Sequence, residues 1–141
     1  MTTIYCISAL PWVKLNRNRL FALKWIKALQ SSLTGKQAEQ HAANYLTHQG
    51  LTLLTQNYRC KTGEIDLVMQ QNQMLVFVEV KFRKSQSHGY AQEYFHPAKR
   101  KKFESAVAHY LHDKKLNPAM VDYRVDVVAI HGEKVEWFQG V

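Results

Sequence analysis

The stretch from Met74 to Phe82 constrains the fold most, because it is almost wholly apolar and rich in β-branched residues. Such a run is typical of a strand at the centre of a sheet. Two charges interrupt it, Glu79 and Lys81, and because they are two residues apart their side chains project from the same face. The other face is apolar throughout. Burying a charge without a partner costs several kcal/mol, so neighbouring groups must compensate these two.

The preceding stretch, residues 64–70, alternates polar and apolar residues as a half-buried strand does. A two-residue turn at Asn72–Gln73 predicts a hairpin in which Asp66 lies directly opposite Glu79, with Lys81 one step further along the same face. A slip of one residue would move Asp66 to the other face. That other face is predicted to carry the apolar residues Ile65, Leu67 and Met69.

The remaining hydrophobic patterns predict two helices and three further strands. The helices are expected at residues 35–48 and 97–112, and the strands at residues 51–58, 120–130 and 134–138. The expected packing residues of the two helices are Ala38, His41, Ala42, Tyr45 and Leu46, then Phe103, Ala106, Val107, Tyr110 and Leu111. This order of elements predicts an α/β fold with a mixed β-sheet of about five strands flanked by helices.

Composition excludes several classes of protein. The 141 residues are 46% hydrophobic, which excludes a wholly disordered chain, and no apolar run is long enough to cross a membrane. Two cysteines are too few for a disulfide framework or a four-cysteine zinc site, and they favour free thiols in the cytoplasm. The net charge of +8 favours a polyanionic partner such as nucleic acid. Residues 81–115 alone contain nine basic and three acidic residues.

Residues 1–33 are predicted to be a basic, amphipathic N-terminal extension, and residues 34–141 to be the main domain. No Lys or Arg precedes the first apolar run, which argues against a secretory signal. Within residues 20–30, apolar residues recur at helical spacing and lysines lie off that stripe. Such a helix either packs on its own domain or rests on a membrane surface, so a membrane-surface protein stays open as an alternative.

Asp66 and Glu79 repel each other if they lie as close as the hairpin predicts. A shared proton, Lys81 or a divalent cation would each stabilise the pair. Two carboxylates, with water and the backbone carbonyl of Val80, are oxygen ligands that suit Mg²⁺. A lysine beside such a metal would hold an attacking water or stabilise charge on a phosphate, which points to phosphodiester hydrolysis. The alternative is an ion pair with a purely structural role.

Three stretches carry a resemblance to a known family: Gly63–Leu67 (GEIDL), Val76–Lys81 (VFVEVK) and Arg83. The chain resembles the PD-(D/E)XK nuclease superfamily and, more closely, the YraN-like family of predicted bacterial endonucleases. Residues 34–138 are covered by the resemblance. It implies a restriction-endonuclease-like fold and a Mg²⁺- or Mn²⁺-dependent endonuclease that acts on DNA, with branched or junction DNA as the candidate substrate.

The resemblance also implies a role for each matching residue. Asp66 and Glu79 would be metal ligands and Lys81 the catalytic lysine. Glu39 would assist the metal or the water from the first helix, and Lys99 would face the site or the phosphates from the second. Some members of the superfamily bind nucleic acid without cutting it, so a binding module without turnover is the alternative function.

The expected partner is nucleic acid, with DNA favoured, and the expected location is the cytoplasm without stable membrane insertion. A homodimer is expected only by analogy with nucleases that cut two strands. Basic residues after the central strand and at the start of the second helix are the candidates for phosphate contacts. They are Arg83, Lys84, Lys99, Arg100 and Lys102.

Overall fold

The computed structural model describes residues 35–83, 95–132 and 134–141. They form two helices and five strands. In chain order these are α1 (Gly35–His48), β1 (Thr52–Cys60), β2 (Gly63–Gln71), β3 (Met74–Arg83), α2 (Pro97–Asp113), β4 (Tyr123–His131) and β5 (Lys134–Phe138). The predicted α/β class and the mixed five-stranded sheet flanked by helices are confirmed.

The strands lie in the order β1-β2-β3-β4-β5. β3 and β4 are parallel, and the other neighbours are antiparallel. A parallel pair needs a long crossover connection, and α2 lies in it. β3 is therefore the central strand, as its apolar sequence predicts.

The hairpin of β2 and β3 has the predicted register. Gln71 pairs with Met74 across a two-residue turn, and the last backbone pair is Leu67 with Val78. Asn72 in the turn has φ 55°, a left-handed conformation that asparagine tolerates better than most residues. Asp66 and Glu79 would be the next pair, but backbone pairing ends just before them.

Among the described residues, each face of the sheet packs on one helix. On the α2 side, Leu75 and Phe77 of β3 join the buried residues of α2, and on the α1 side Val76 and Val78 join those of α1. The predicted packing residues of α2 are all buried: Phe103, Ala106, Val107, Tyr110 and Leu111. On α1, the inclusion of His41 is wrong, because this side chain is exposed and Ala43 is buried instead.

β2 does not keep the regular alternation that its sequence suggests. Leu67 and Met69 pack on the α1 side, whereas Ile65 packs on the α2 side with Tyr58, its partner on β1. The prediction that Ile65 shares a face with Leu67 is therefore wrong. Beyond Leu67, β2 pairs only with β1, and β3 only with β4. The two strands thus separate at Asp66 and Glu79, and we call this point the fork.

One further difference concerns the start of a strand. The fourth strand begins at Tyr123 rather than Met120, because residues 117–120 form a turn and Met120 is exposed.

In the described part of the chain no helix is long and apolar enough to cross a membrane. The extension at residues 1–33 and its membrane hypothesis lie outside the described residues.

Gly63, at the start of β2, approaches α2 so closely that a side chain would collide with it. A Cβ at Gly63 would lie 2.5 Å from the backbone oxygen of Lys102. We expect Gly63→Ala to lower the free energy of unfolding by about 1–3 kcal/mol, since α2 or β2 must shift. Gly35→Ala is the control, since a Cβ there meets no atom within 4 Å. Urea unfolding measures both, and equal stabilities would contradict this packing.

Candidate active site

Asp66 bridges the fork with its side chain. Its Oδ2 accepts a hydrogen bond of 2.8 Å from the backbone N–H of Val80 on β3. A carboxylate thus takes the acceptor position that a backbone carbonyl would occupy if β2 and β3 stayed paired. Val80 therefore contributes its N–H at the fork, and the use of its carbonyl as a metal ligand stays a prediction.

Glu79 lies just across the fork, and its side chain is only 1% exposed. Its Oε1 lies 2.8 Å from the Nζ of Lys81, which confirms that these two side chains share a face. The same oxygen accepts a hydrogen bond from Lys99 in the first turn of α2. The structure thus brings together the predicted pair and the predicted basic residue of the second helix.

The site contains buried carboxylate oxygens that accept no hydrogen bond from any described residue. Oε2 of Glu79 and Oε2 of Glu39 are both buried without a hydrogen-bond partner among the described residues. Glu39 follows Ala38, which is buried against the sheet, so α1 brings this carboxylate to the α1 side of the fork. Buried carboxylate oxygens without partners are costly. Unpaired carboxylate oxygens of this kind are the ligand atoms that a cation site requires.

Burial and the neighbouring carboxylates raise the pKa of Asp66 to about 7. Burial is the main cause, and the negative charges of Glu79 and Glu39 raise the pKa further. The N–H of Val80 and the ammonium of Lys99 act in the opposite direction but do not cancel the rise. Without a further positive charge, Asp66 is thus half protonated near neutral pH.

The two lysines compete for one oxygen. Burial lowers the pKa of Lys81, and the ammonium of Lys99 lowers it further, while Glu79 opposes both effects. Burial also acts against the charge of Lys99, but Glu79 and Asp66 hold the pKa of that lysine above its ordinary value. Lys81 is therefore the lysine that more readily gives up a proton, and Lys99 the one that stays charged.

The other candidate phosphate contacts have different surroundings. Arg83 is exposed at the end of β3, and Lys102 is exposed on α2. Arg100 is held by Glu104 at 2.9 Å and by the backbone oxygen of Val141 at 3.0 Å. Lys84 lies outside the described residues.

Not every buried carboxylate in the protein is short of partners. Asp126 on β4 is fully buried and accepts hydrogen bonds from Arg124, Trp137 and the backbone N–H of Gly140. This carboxylate fastens β5 and the C-terminus to β4. The contrast with Asp66 and Glu79 separates a structural carboxylate from a candidate functional one.

Residues 38–130 match the model of a family described as "Uncharacterised protein family UPF0102". Similar proteins include one from Saccharophagus degradans, 48% identical over 106 residues, which covers 75% of this chain and 89% of that protein. A protein from Vibrio campbellii is 46% identical over 107 residues (74% and 88%), and one from Shewanella frigidimarina is 44% identical over 107 residues (76% and 96%). All three are named UPF0102 proteins. The match includes Glu39, Asp66, Glu79, Lys81 and Lys99.

The raised pKa of Asp66 predicts a specific pH dependence of stability in EDTA. Between pH 4 and 7 the folded protein keeps a proton that the unfolded chain has released, so this group lowers the free energy of unfolding as the pH rises. Asp66→Asn removes the titrating carboxyl group and therefore this loss of stability at higher pH. Relative to the parent, the variant should therefore gain roughly 2–4 kcal/mol between pH 4 and pH 8, at about 1.4 kcal/mol per pKa unit.

Urea unfolding at several pH values measures the difference between the parent and Asp66→Asn. Asp113→Asn is the matched control, because it removes an exposed carboxylate at the end of α2. A difference between parent and Asp66→Asn that is the same at pH 4 and pH 8 would show that the pKa of Asp66 is not raised, contrary to its burial beside Glu79 and Glu39.

Proposed function

We propose that this chain, which belongs to the uncharacterised protein family UPF0102, is a divalent-metal-dependent endonuclease that hydrolyses phosphodiester bonds in DNA. One observation carries the proposal: where two strands separate, one oxygen of Glu79 binds two lysines, while its other oxygen and one oxygen of Glu39 are buried without a partner among the described residues. The resemblance of GEIDL and VFVEVK to the PD-(D/E)XK superfamily supports the same reading and favours branched or junction DNA as the substrate.

Asp66 and Glu79 are the residues that would hold Mg²⁺ or Mn²⁺, with the carbonyl of Val80 as a further oxygen. The donor chemistry fits, because hard divalent cations prefer carboxylate and carbonyl oxygens. In the described parts of the chain no three Asp, Glu, His or Cys side chains already form a metal cluster, so water would complete the shell. The bound ion would supply positive charge for the phosphate and activate water.

The chain's own groups have separate tasks in this proposal. Lys81, whose charge is less firmly held, orients the attacking water and takes part in its proton transfer. Lys99 stays charged and stabilises the negative charge that builds up on the phosphate. Glu39, from the other side of the fork, accepts a hydrogen bond from that water or from a water of the metal shell.

The carboxylates favour an enzyme over a module that only binds nucleic acid. Phosphate is repelled by carboxylate, so a binding surface gains nothing from burying Asp66, Glu79 and Glu39 beside its lysines. A catalytic site does gain, because the same groups hold a cation against the phosphate. The basic protein surface then supplies affinity for the substrate.

Cleavage assays on duplex, single-stranded and four-way-junction DNA test the proposal, with Mg²⁺, Mn²⁺ or EDTA. We expect metal-dependent cutting that falls below detection in Glu79→Gln and by about 10²–10⁴-fold in Lys81→Met. Asp113→Asn and Lys134→Met are controls on exposed surface. Glu79→Gln should still bind DNA at least as tightly as the parent, since it loses a negative charge.

Two results would contradict the proposal. Tight, salt-sensitive binding with no cutting in any metal would favour the binding module. Cutting that survives Glu79→Gln would show contamination or a different site. Gel filtration across a range of protein concentrations tests for a homodimer, which is expected by analogy with nucleases that cut two strands.

A further inference from the structure

A second feature lies beside the candidate active site. An open cavity of about 740 Å³ separates the turn between β1 and β2 from the start of α2. The charged residues described in its lining are Arg59, Lys61, Glu64, Lys99 and Lys102.

The two walls of the cavity are firmly positioned against each other. Gly63 contacts the backbone of Lys102 so closely that no side chain fits between them. Within the turn, the thiol of Cys60 lies 3.2 Å from the hydroxyl of Thr62 and 3.4 Å from the backbone oxygen of Gly63. The packing of the turn on α2 therefore forms both walls of the cavity.

The cations of this cavity outnumber its carboxylates. Arg59 lies at the end of β1 and Lys61 in the turn, Lys99 and Lys102 belong to α2, and Glu64 is the one carboxylate among the described residues of the lining. Glu64 lies 3.6 Å from Arg59, and both side chains are more than half exposed. Such exposed pairs contribute little, so the guanidinium remains available to a ligand of higher charge.

Lys99 belongs both to this lining and to the active site, because its ammonium binds Glu79. A DNA strand with its scissile phosphate at Glu79 and Lys99 therefore has a neighbouring backbone segment at the mouth of the cavity. Guanidinium and ammonium groups from two separate elements are the donors that phosphate recognition requires.

We propose that the cavity binds a backbone phosphate of the DNA strand on one side of the bond that is cut, through Arg59, Lys61 and Lys102. This inference rests on the proposed function for the position of the strand. It adds two residues, Arg59 at the end of β1 and Lys61 in the turn after it, to the surface that holds the substrate. The ligand chemistry is a phosphate group, and it comes from a phosphodiester within the strand or from a phosphate at a strand end.

Equilibrium binding of DNA in EDTA at several salt concentrations tests the cavity without any need for cleavage. We expect Arg59→Gln/Lys61→Gln to bind junction and single-stranded DNA about 5–20-fold more weakly near 0.1 M salt. The slope of log K against log salt should fall by about 1–2, in line with one or two lost phosphate contacts. Lys114→Gln/Lys134→Gln removes the same charge from exposed positions outside the cavity lining and should stay within twofold of the parent.

Glu64→Gln gives a change of opposite sign at the same wall. It removes the carboxylate that faces Arg59 and should tighten binding about two- to fivefold. Variants that weaken and tighten binding from one cavity cannot both be explained by misfolding, and their urea midpoints should match that of the parent.

Substrates with one uncharged methylphosphonate linkage locate the phosphate. The parent should bind DNA more weakly when one particular linkage near the cut is uncharged. The affinity of Arg59→Gln/Lys61→Gln should not change when that linkage is uncharged. If only removal of a terminal phosphate has this effect, the cavity holds a strand end. Equal binding by both double variants would overturn the inference even if the protein cuts DNA. Cavity-dependent binding without cutting would retain the phosphate site and refute the proposed endonuclease.

Discussion

The candidate site depends on the separation of β2 from β3 at Asp66 and Glu79. Up to Leu67 and Val78 the two strands are paired. Beyond that point the N–H of Val80 is bound by the carboxylate of Asp66 rather than by a backbone carbonyl. This hydrogen bond lets the hairpin open without leaving a buried donor unpaired. It also fixes the carboxylate of Asp66 at the entrance of the opening. There the charges of Glu39 on α1 and of Lys99 on α2 both act on Asp66.

The helices give this opening its two sets of charges. α1 packs on one face of the sheet and brings Glu39, while α2 packs on the other and brings Lys99. The carboxylate of Asp126 shows what the fold does when burial is for stability alone: each oxygen is bonded by side chains or backbone. At the fork the protein instead tolerates unpaired oxygens, a cost typical of functional sites. This contrast is the physical basis for assigning function to the fork.

Much of this arrangement follows from local sequence patterns. The alternating faces of β3 predict the central strand, and the turn at Asn72 fixes the register that aligns Asp66 with Glu79. Pro97 and the apolar spacing after it predict α2, because both depend on helix geometry alone. Placement of Lys99 near the site required the resemblance to a nuclease family, since helical periodicity does not specify which end of a helix meets which strand.

The fork itself was not predictable from the alternation of β2, which looks regular in the sequence. On the side where β2 leaves β3, Gly63 packs on the backbone of α2, a contact between residues 39 positions apart. Asn57 on β1 adopts φ 56°, and Ile65 turns toward α2 with it. The basic cavity escaped sequence analysis for the same reason, since Arg59 and Lys102 become neighbours only through this packing.

Calorimetric titration of the protein with Mn²⁺ at pH 8, without nucleic acid, tests whether the carboxylates at the fork bind a divalent cation. We expect one saturable site per chain, abolished by Asp66→Asn and by Glu79→Gln and retained in Asp113→Asn. An absence of specific binding, or binding that survives both substitutions at the fork, would contradict the view that these carboxylates are arranged for a cation.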